Sequence, residues 1–178
     1  MAEVTKSEKI DGVYIVRLAS HPDERGRFVE TFRRRWIPGC REMVQGNRSD
    51  SQPGVLRGIH YHIFQADYWY VPTGRTFTAL VDLRPKSPTY KAVETLEMGE
   101  QNEVGVYIPP GVGHGFYALT QALMTYLVDQ EFDGSDEFGV RFDDPTLAIA
   151  WPDGERIVSE RDRSNPALAD IPAENLPE

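Results

Sequence analysis

From residue 55 to 129 the chain repeatedly alternates apolar with polar positions, in short segments separated by proline and glycine. Alternation at period two marks a β-strand with one buried face. It predicts strands over 55–62, 67–72, 75–83, 90–97, 103–108, 114–119 and 122–129. Phe77, Ala79, Val81 and Leu83 share one apolar face, and Ala122, Met124, Tyr126 and Val128 share another. Pro85, Pro88, Pro109-Pro110 and Gly111 punctuate the run. Upstream, residues 1–11 read as a tail. They lead to a half-buried strand in which Val13, Ile15 and Arg17 alternate with Tyr14, Val16 and Leu18. His21-Pro-Asp-Glu-Arg-Gly26 reads as a turn, and Phe28 to Phe32 alternates again. Arg33 to Arg41, basic and broken by Pro38-Gly39, reads as a helical turn or loop on the surface. Gln45, Asn47, Ser49 and Ser51 place polar groups on one face of an extended segment; that face reads first as solvated, or as a ligand surface where it points into a cavity. Val140–Phe142 and Leu147–Ile149 are expected as short strands. The acidic, proline-containing stretch after Trp151-Pro152 is expected as a short helix or coil. Many short strands at regular intervals indicate an all-β sandwich or barrel, expected as one domain over residues 1–178 with an N-terminal strand and a C-terminal tail.

Composition narrows the function. The 178 residues are 40% hydrophobic and 11% aromatic, enough for a core. A net charge of −9 disfavours nucleic acid and anionic membranes as partners, yet leaves room for a small anion held by local arginines. Cys40 is the single cysteine, so no intrachain disulfide forms and a reducing compartment is expected. No apolar run approaches the roughly 18 residues of a membrane span, and residues 1–9 are polar. A soluble, cytoplasmic protein is expected.

The chemistry concentrates in Gly54–Gly74. His60 and His62, two residues apart on a strand, point the same way. They suit a metal site or a general base with a helper, or else a solvated face. Gly54-x5-His60-x-His62-x4-Asp67-x6-Gly74 resembles the first metal-binding motif of the cupin superfamily, with aspartate for glutamate. Pro109-x-Gly111-x2-His114 resembles the second, without its usual asparagine, since Ala118 stands there. His60, His62, Asp67 and His114 would together suit a divalent transition metal. Tyr126, on an apolar face, reads as a core residue or as a buried proton donor. Arg25, Arg57 and Arg84 offer planar forks suited to phosphate, or are surface residues. Simple alternation puts Arg57 on the face opposite His60, so both reach one pocket only if a bulge intervenes.

A wider set of motifs then converges. Asp23-x-Arg25-Gly26-x-Phe28-x-Glu30, Gln45-x-Asn47-x-Ser49, Gly54-Val-Leu-Arg57-Gly-Ile-His60-Tyr, Val81-Asp-Leu-Arg84, Ile108-Pro-x-Gly-x-x-His114-Gly-Phe, Ile149-x-Trp151-Pro and Ser159-x-x-Asp162 resemble the dTDP-4-dehydrorhamnose 3,5-epimerase family from about residue 10 to 170. The resemblance implies a cupin-type double-stranded β-helix (jelly roll) with short peripheral helices. It implies a homodimer acting on a nucleotide-linked, dTDP-type 4-keto-6-deoxyhexose in deoxysugar or polysaccharide biosynthesis. By the same resemblance His60 is the base, Asp162 its orienting partner and Tyr126 the acid on the opposite face of the sugar. Arg25, Phe28, Glu30, Gln45, Asn47, Arg57 and His114 bind substrate, and no cofactor is used.

Departures from the family keep other readings open. His62 replaces a glutamine, and Asp67 replaces a lysine that faces the developing enolate oxygen. Thr78 and Phe132 replace an aspartate and a tyrosine. His62 and Asp67 are also the residues that rebuild the cupin metal motif. A metal-dependent isomerase or dioxygenase using His60, His62, Asp67 and His114 is therefore an alternative, as is a sugar-nucleotide-binding protein with weakened chemistry. A metal on His60 would compete with its use as a base.

Overall fold

The computed structural model describes residues 2–132 and 134–178; Met1, the start of the expected tail, lies outside them. In chain order the strands are β1 Glu3–Lys6, β2 Tyr14–Arg17, β3 Ser20–Asp23, β4 Gly26–Val29, β5 Gln45–Ser51, β6 Val55–Tyr61, β7 Asp67–Thr73, β8 Arg75–Asp82, β9 Val93–Gly99, β10 Val104–Ile108, β11 Val112–Ala118, β12 Ala122–Val128, β13 Phe138–Gly139 and β14 Ile157–Val158. The helix α1, Glu160–Arg163, and single 3₁₀ turns at Arg34–Trp36, Leu168–Asp170 and Ala173–Asn175 are peripheral. No described helix is long and apolar enough to cross a membrane.

The strands form two facing sheets, a cupin-type jelly roll. One sheet runs β1-β2-β10-β7-β12-β5 and the other β13-β6-β11-β8-β9, with β14 added in parallel to β6. Period-two alternation sorts the side chains of each strand between layers. On β7, Trp69 and Val71 point between the sheets, with Leu80, Val106, Phe116 and Met124. Tyr68 and Tyr70 of the same strand point outward, under a cover that includes Ile37 and Cys40. The outer face of the second sheet carries Ile59, Ala79, Val81 and Leu83, and the C-terminal segment buries it with Leu147, Trp151, Leu168 and Ile171.

Two expectations change. Residues 3–6 are not a tail but a strand on β2, pairing Val4 with Val16. The short strands expected at 140–142 and 147–149 are absent there. Pairing occurs instead at β13, where Phe138 opposes Tyr61, and at β14. The stretch beyond Trp151 is the expected short helix and coil, with β14 added, and it straps the sheet: Tyr61 donates its hydroxyl to the Asn175 carbonyl at 2.9 Å. Of the two readings of the polar face of β5, the ligand-surface one fits: its side chains are half-buried and face a cavity. Gln45, Asn47 and Ser49 line the space between the sheets, because β5 is the edge strand beside β12 and its inner face closes the mouth of the roll.

Candidate active site

The inner faces of both sheets diverge at one end around a cavity of about 430 Å³, within the range of small-ligand sites. One wall comes from β6 and β11, the other from β5, β7 and β12.

On the first wall the pairing of β6 with β11 shifts register. His114 opposes His60, but Phe116 opposes Arg57. Two steps along β11 therefore match three along β6, which is the signature of a bulge. The extra residue turns Arg57 and His60 to the same side, and both line the cavity. Gly58 sits within this bulge at φ +116°, where a Cβ would meet the His114 carbonyl oxygen and Gly115 Cα at 2.7 Å. Glycine is needed here because the two backbones touch.

His60 is fixed from a distant part of the chain. Its Nε2–H donates to Asp162 Oδ1 at 2.6 Å, and Asp162 Oδ2 accepts the Gly58 N–H at 3.1 Å. Asp162 is buried on α1, whose N-terminus is capped by Ser159 Oγ accepting the Asp162 N–H at 3.1 Å. Burial alone would raise this carboxyl's pKa. The His60 hydrogen bond and charge, with the Gly58 N–H, pull it below the usual carboxylate value. A carboxylate accepting from Nε2 leaves Nδ1 as the lone-pair nitrogen of a neutral ring.

Tyr126 stands on the opposite wall, on β12, beside Trp69 at a ring-centroid separation of 6.4 Å. Burial raises its phenol pKa, Asp67 and Glu137 raise it further, and Arg57 opposes them. The hydroxyl therefore keeps its proton at neutral pH. The alternation that placed Tyr126 with Met124 is correct, and their shared face is at once core and cavity lining.

The floor holds His62, Asp67 and His114, all buried, with potential ligand atoms within 4.8 Å of one another. Asp136 builds the turn that sets the first two. Its carboxylate accepts the N–H groups of Ile63, Phe64 and Gln65 at 2.6, 2.9 and 3.0 Å. Its backbone carbonyl accepts from His62 Nδ1. Burial, and secondarily His62 and His60, outweigh the opposing Asp67 charge and push the His114 pKa down to about 4, so His114 is neutral. His60 is not part of this cluster. The four-residue metal set therefore separates into an imidazole held by Asp162 and a three-residue group.

Other expected ligands divide. Gln45, Asn47, Arg57 and His114 line the cavity. Arg25, Phe28 and Glu30 do not: they lie on or beside the β3–β4 hairpin, which pairs only with itself. There Arg25 pairs with Asp23, Glu30 pairs with Arg33, and Phe28 is 65% exposed. Arg84 is structural, its guanidinium held by the fully buried Asp82 at 2.8 Å. The cavity also recruits Trp69, Phe116, Glu137 and Arg161, which sequence reasoning missed. Trp69 and Phe116 were findable, each lying two residues from a site residue on the same strand. Nothing local marks Glu137 and Arg161, which meet as a rim ion pair at 2.9 Å.

The arrangement can move protons: an imidazole held through Nε2 by a carboxylate on one wall faces a protonated phenol on the other. Comparison with known proteins finds relatives along nearly the whole chain. The dTDP-4-dehydrorhamnose 3,5-epimerase family model matches residues 7–170. A dTDP-4-dehydrorhamnose 3,5-epimerase of Streptomyces griseus is 36% identical over 94% of this chain and 88% of its own. A dTDP-4-dehydrorhamnose 3-epimerase of Streptomyces niveus is 36% identical over 90% and 82%. The crystal structure of a dTDP-6-deoxy-D-glucose-3,5-epimerase from Legionella pneumophila, in complex with dTDP-4-keto-L-rhamnose, superposes with a TM-score of 0.94. It is 33% identical and covers 100% of this chain and 98% of that one.

Proposed function

The chain belongs to the dTDP-4-dehydrorhamnose 3,5-epimerase family, and from that premise we propose that it epimerises a dTDP-linked 4-keto-6-deoxyhexose at C3, C5 or both. The observation that carries the reading is the His60–Asp162 pair and Tyr126 on opposite walls of one cavity. A C–H next to the C4 ketone is acidic because its conjugate base is an enolate. His60 Nδ1 takes that proton, the C–H electron pair becomes the carbon–carbon π bond, and the carbonyl π pair moves onto oxygen. Asp162 stabilises the resulting imidazolium and holds the ring's orientation. The enolate then collapses back to the ketone while its carbon takes the Tyr126 proton from the other face, which inverts the centre. Exchange with water resets both groups. No redox equivalents are consumed. In this reading Arg57, which lines the cavity and donates to Ser51 Oγ at 3.2 Å, pairs with the diphosphate, and Gln45 and Asn47 hydrogen-bond the sugar nucleotide.

The same reading makes the protein a cytoplasmic homodimer. The β3–β4 hairpin presents Arg25 and Phe28 away from its own cavity, and family resemblance gives these residues and Glu30 to substrate. A hairpin docked over a second copy's cavity satisfies both facts.

The test is incubation with dTDP-4-keto-6-deoxyglucose, borohydride reduction and identification of the sugar. Products inverted at C3, C5 or both are expected, and only the unchanged gluco and galacto alcohols would overturn the proposal.

A further inference from the structure

Asp67 is a buried carboxylate, 2% exposed, facing two histidines, His62 at 6% and His114 at 4%. Among the described residues its oxygens accept from neutral donors, Gln65 Nε2 at 2.9 Å and Trp69 Nε1 at 3.0 Å. Among the described residues no lysine or arginine pairs with it, although Asp82 and Asp129, also buried, each hold an arginine. A buried charge without a counter-charge is costly. The two histidines are oriented alike. His62 Nδ1–H donates to the Asp136 carbonyl and His114 Nδ1–H donates to the Val112 carbonyl at 3.1 Å, so each ring keeps its Nε2 lone pair for the cavity. This is how ligating imidazoles are held around metals: one nitrogen fixed by a carbonyl, the other free.

We propose that His62, Asp67 and His114 bind a divalent first-row transition metal ion. Two imidazole nitrogens and one carboxylate oxygen select zinc, nickel, cobalt, iron or manganese over magnesium and calcium. The three ligand atoms lie within 4.8 Å of one another, and an ion at about 2.0–2.2 Å from each draws them slightly together. Its remaining coordination positions open into the cavity. His60 stays outside the set because its ring nitrogens are not among the ligand atoms that lie within 4.8 Å of one another, so the metal and the proposed base use different residues. The proposal concerns binding and stands whether or not the epimerase reading does.

The experiment uses the full chain without a histidine tag, stripped by chelator and titrated with Co²⁺ in the absence of substrate. About one equivalent should bind, with visible d–d absorption from nitrogen and oxygen ligands. Asp67→Asn keeps the side-chain shape and should weaken binding by at least about tenfold, with His114→Ala as a second, independent ligand deletion. Circular dichroism melts establish that each variant is folded. His60→Ala should leave Co²⁺ binding unchanged. Less than about a tenth of an equivalent bound at 100 μM Co²⁺, or unchanged binding in folded Asp67→Asn and His114→Ala, would overturn the site. Loss of binding in His60→Ala would overturn the three-residue assignment. Because no substrate is present, these outcomes are separate from any failure of epimerisation.

Discussion

Replacing Asp162 with asparagine exchanges one oxygen for an amide group and preserves the shape of the site. The native carboxylate accepts from His60 Nε2 at 2.6 Å and from the Gly58 N–H at 3.1 Å. An asparagine keeps its carbonyl on Gly58 and turns its amide N–H toward His60. Nε2 must then accept, the ring proton moves to Nδ1, and the nitrogen facing the cavity no longer holds a lone pair. The equivalent tautomer reversal in a serine protease triad costs about 10⁴ in rate. That is about 5 kcal/mol of barrier at about 1.4 kcal/mol per decade. The fold loses charge-assisted hydrogen bonds worth about 1.5–3 kcal/mol, which leaves a folded protein to assay. The comparison is between deuterium wash-in at the substrate's α-carbons, followed by NMR, and dTDP affinity, measured by calorimetry. Wash-in should fall by about 10⁴ with affinity kept within about threefold. Wash-in within about tenfold of wild type would refute Asp162 as the group that sets the base's tautomer.

Tyr126→Phe should abolish inverted product while wash-in persists from the base side; normal product yield would reduce Tyr126 to packing. Because its phenol pKa is raised, the acid form persists through alkaline pH, and no Tyr126-dependent fall in rate is expected below about pH 10. Arg57→Ala should raise the Kd for dTDP by about ten- to a hundredfold and leave turnover at saturating substrate nearly intact; a loss confined to turnover would contradict its placement on diphosphate. Mixed Arg25→Ala and His60→Ala dimers should recover up to about a quarter of wild-type sites if the hairpin crosses between copies, and no recovery after subunit exchange would place Arg25 in its own chain's function. Asp82→Asn should cost about 3 kcal/mol at pH 7 by stranding Arg84. Burial pushes Asp82 up, but Arg84, Ser87 and Thr89 hold it below the usual range. Its stabilisation is therefore present above the unfolded value near 4 and fades as pH falls through the lower folded value. Urea melts at pH 7 and pH 3 should show the deficit shrinking in acid, and an equal deficit at both would refute the assignment.

Strand positions were legible because alternation is local: Asp67, Trp69 and Val71 share a face by counting alone. Arg57 was not assignable, since one extra residue in β6 reverses its side and that residue is visible only in the pairing with β11. The polar face of β5 looked solvated because a cavity wall and a wet surface have the same composition. Asp162 lies 102 residues from His60, and only family resemblance selected it among the many acidic residues. The His62–Asp67–His114 group was anticipated by motif spacing, but spacing placed His60 in it. Distance removes His60 from that set, and the Asp162 that holds it lies too far along the chain to leave a mark in the motif.

The most direct test of the central claim is proton NMR of the wild-type protein with dTDP-4-keto-6-deoxyglucose in deuterium oxide, beside His60→Ala. Loss of the C3 or C5 proton signal in the wild type, and its retention in the variant with dTDP still bound, is the predicted result. Retention of both signals in the wild type, or unchanged exchange in His60→Ala, would contradict proton abstraction by His60.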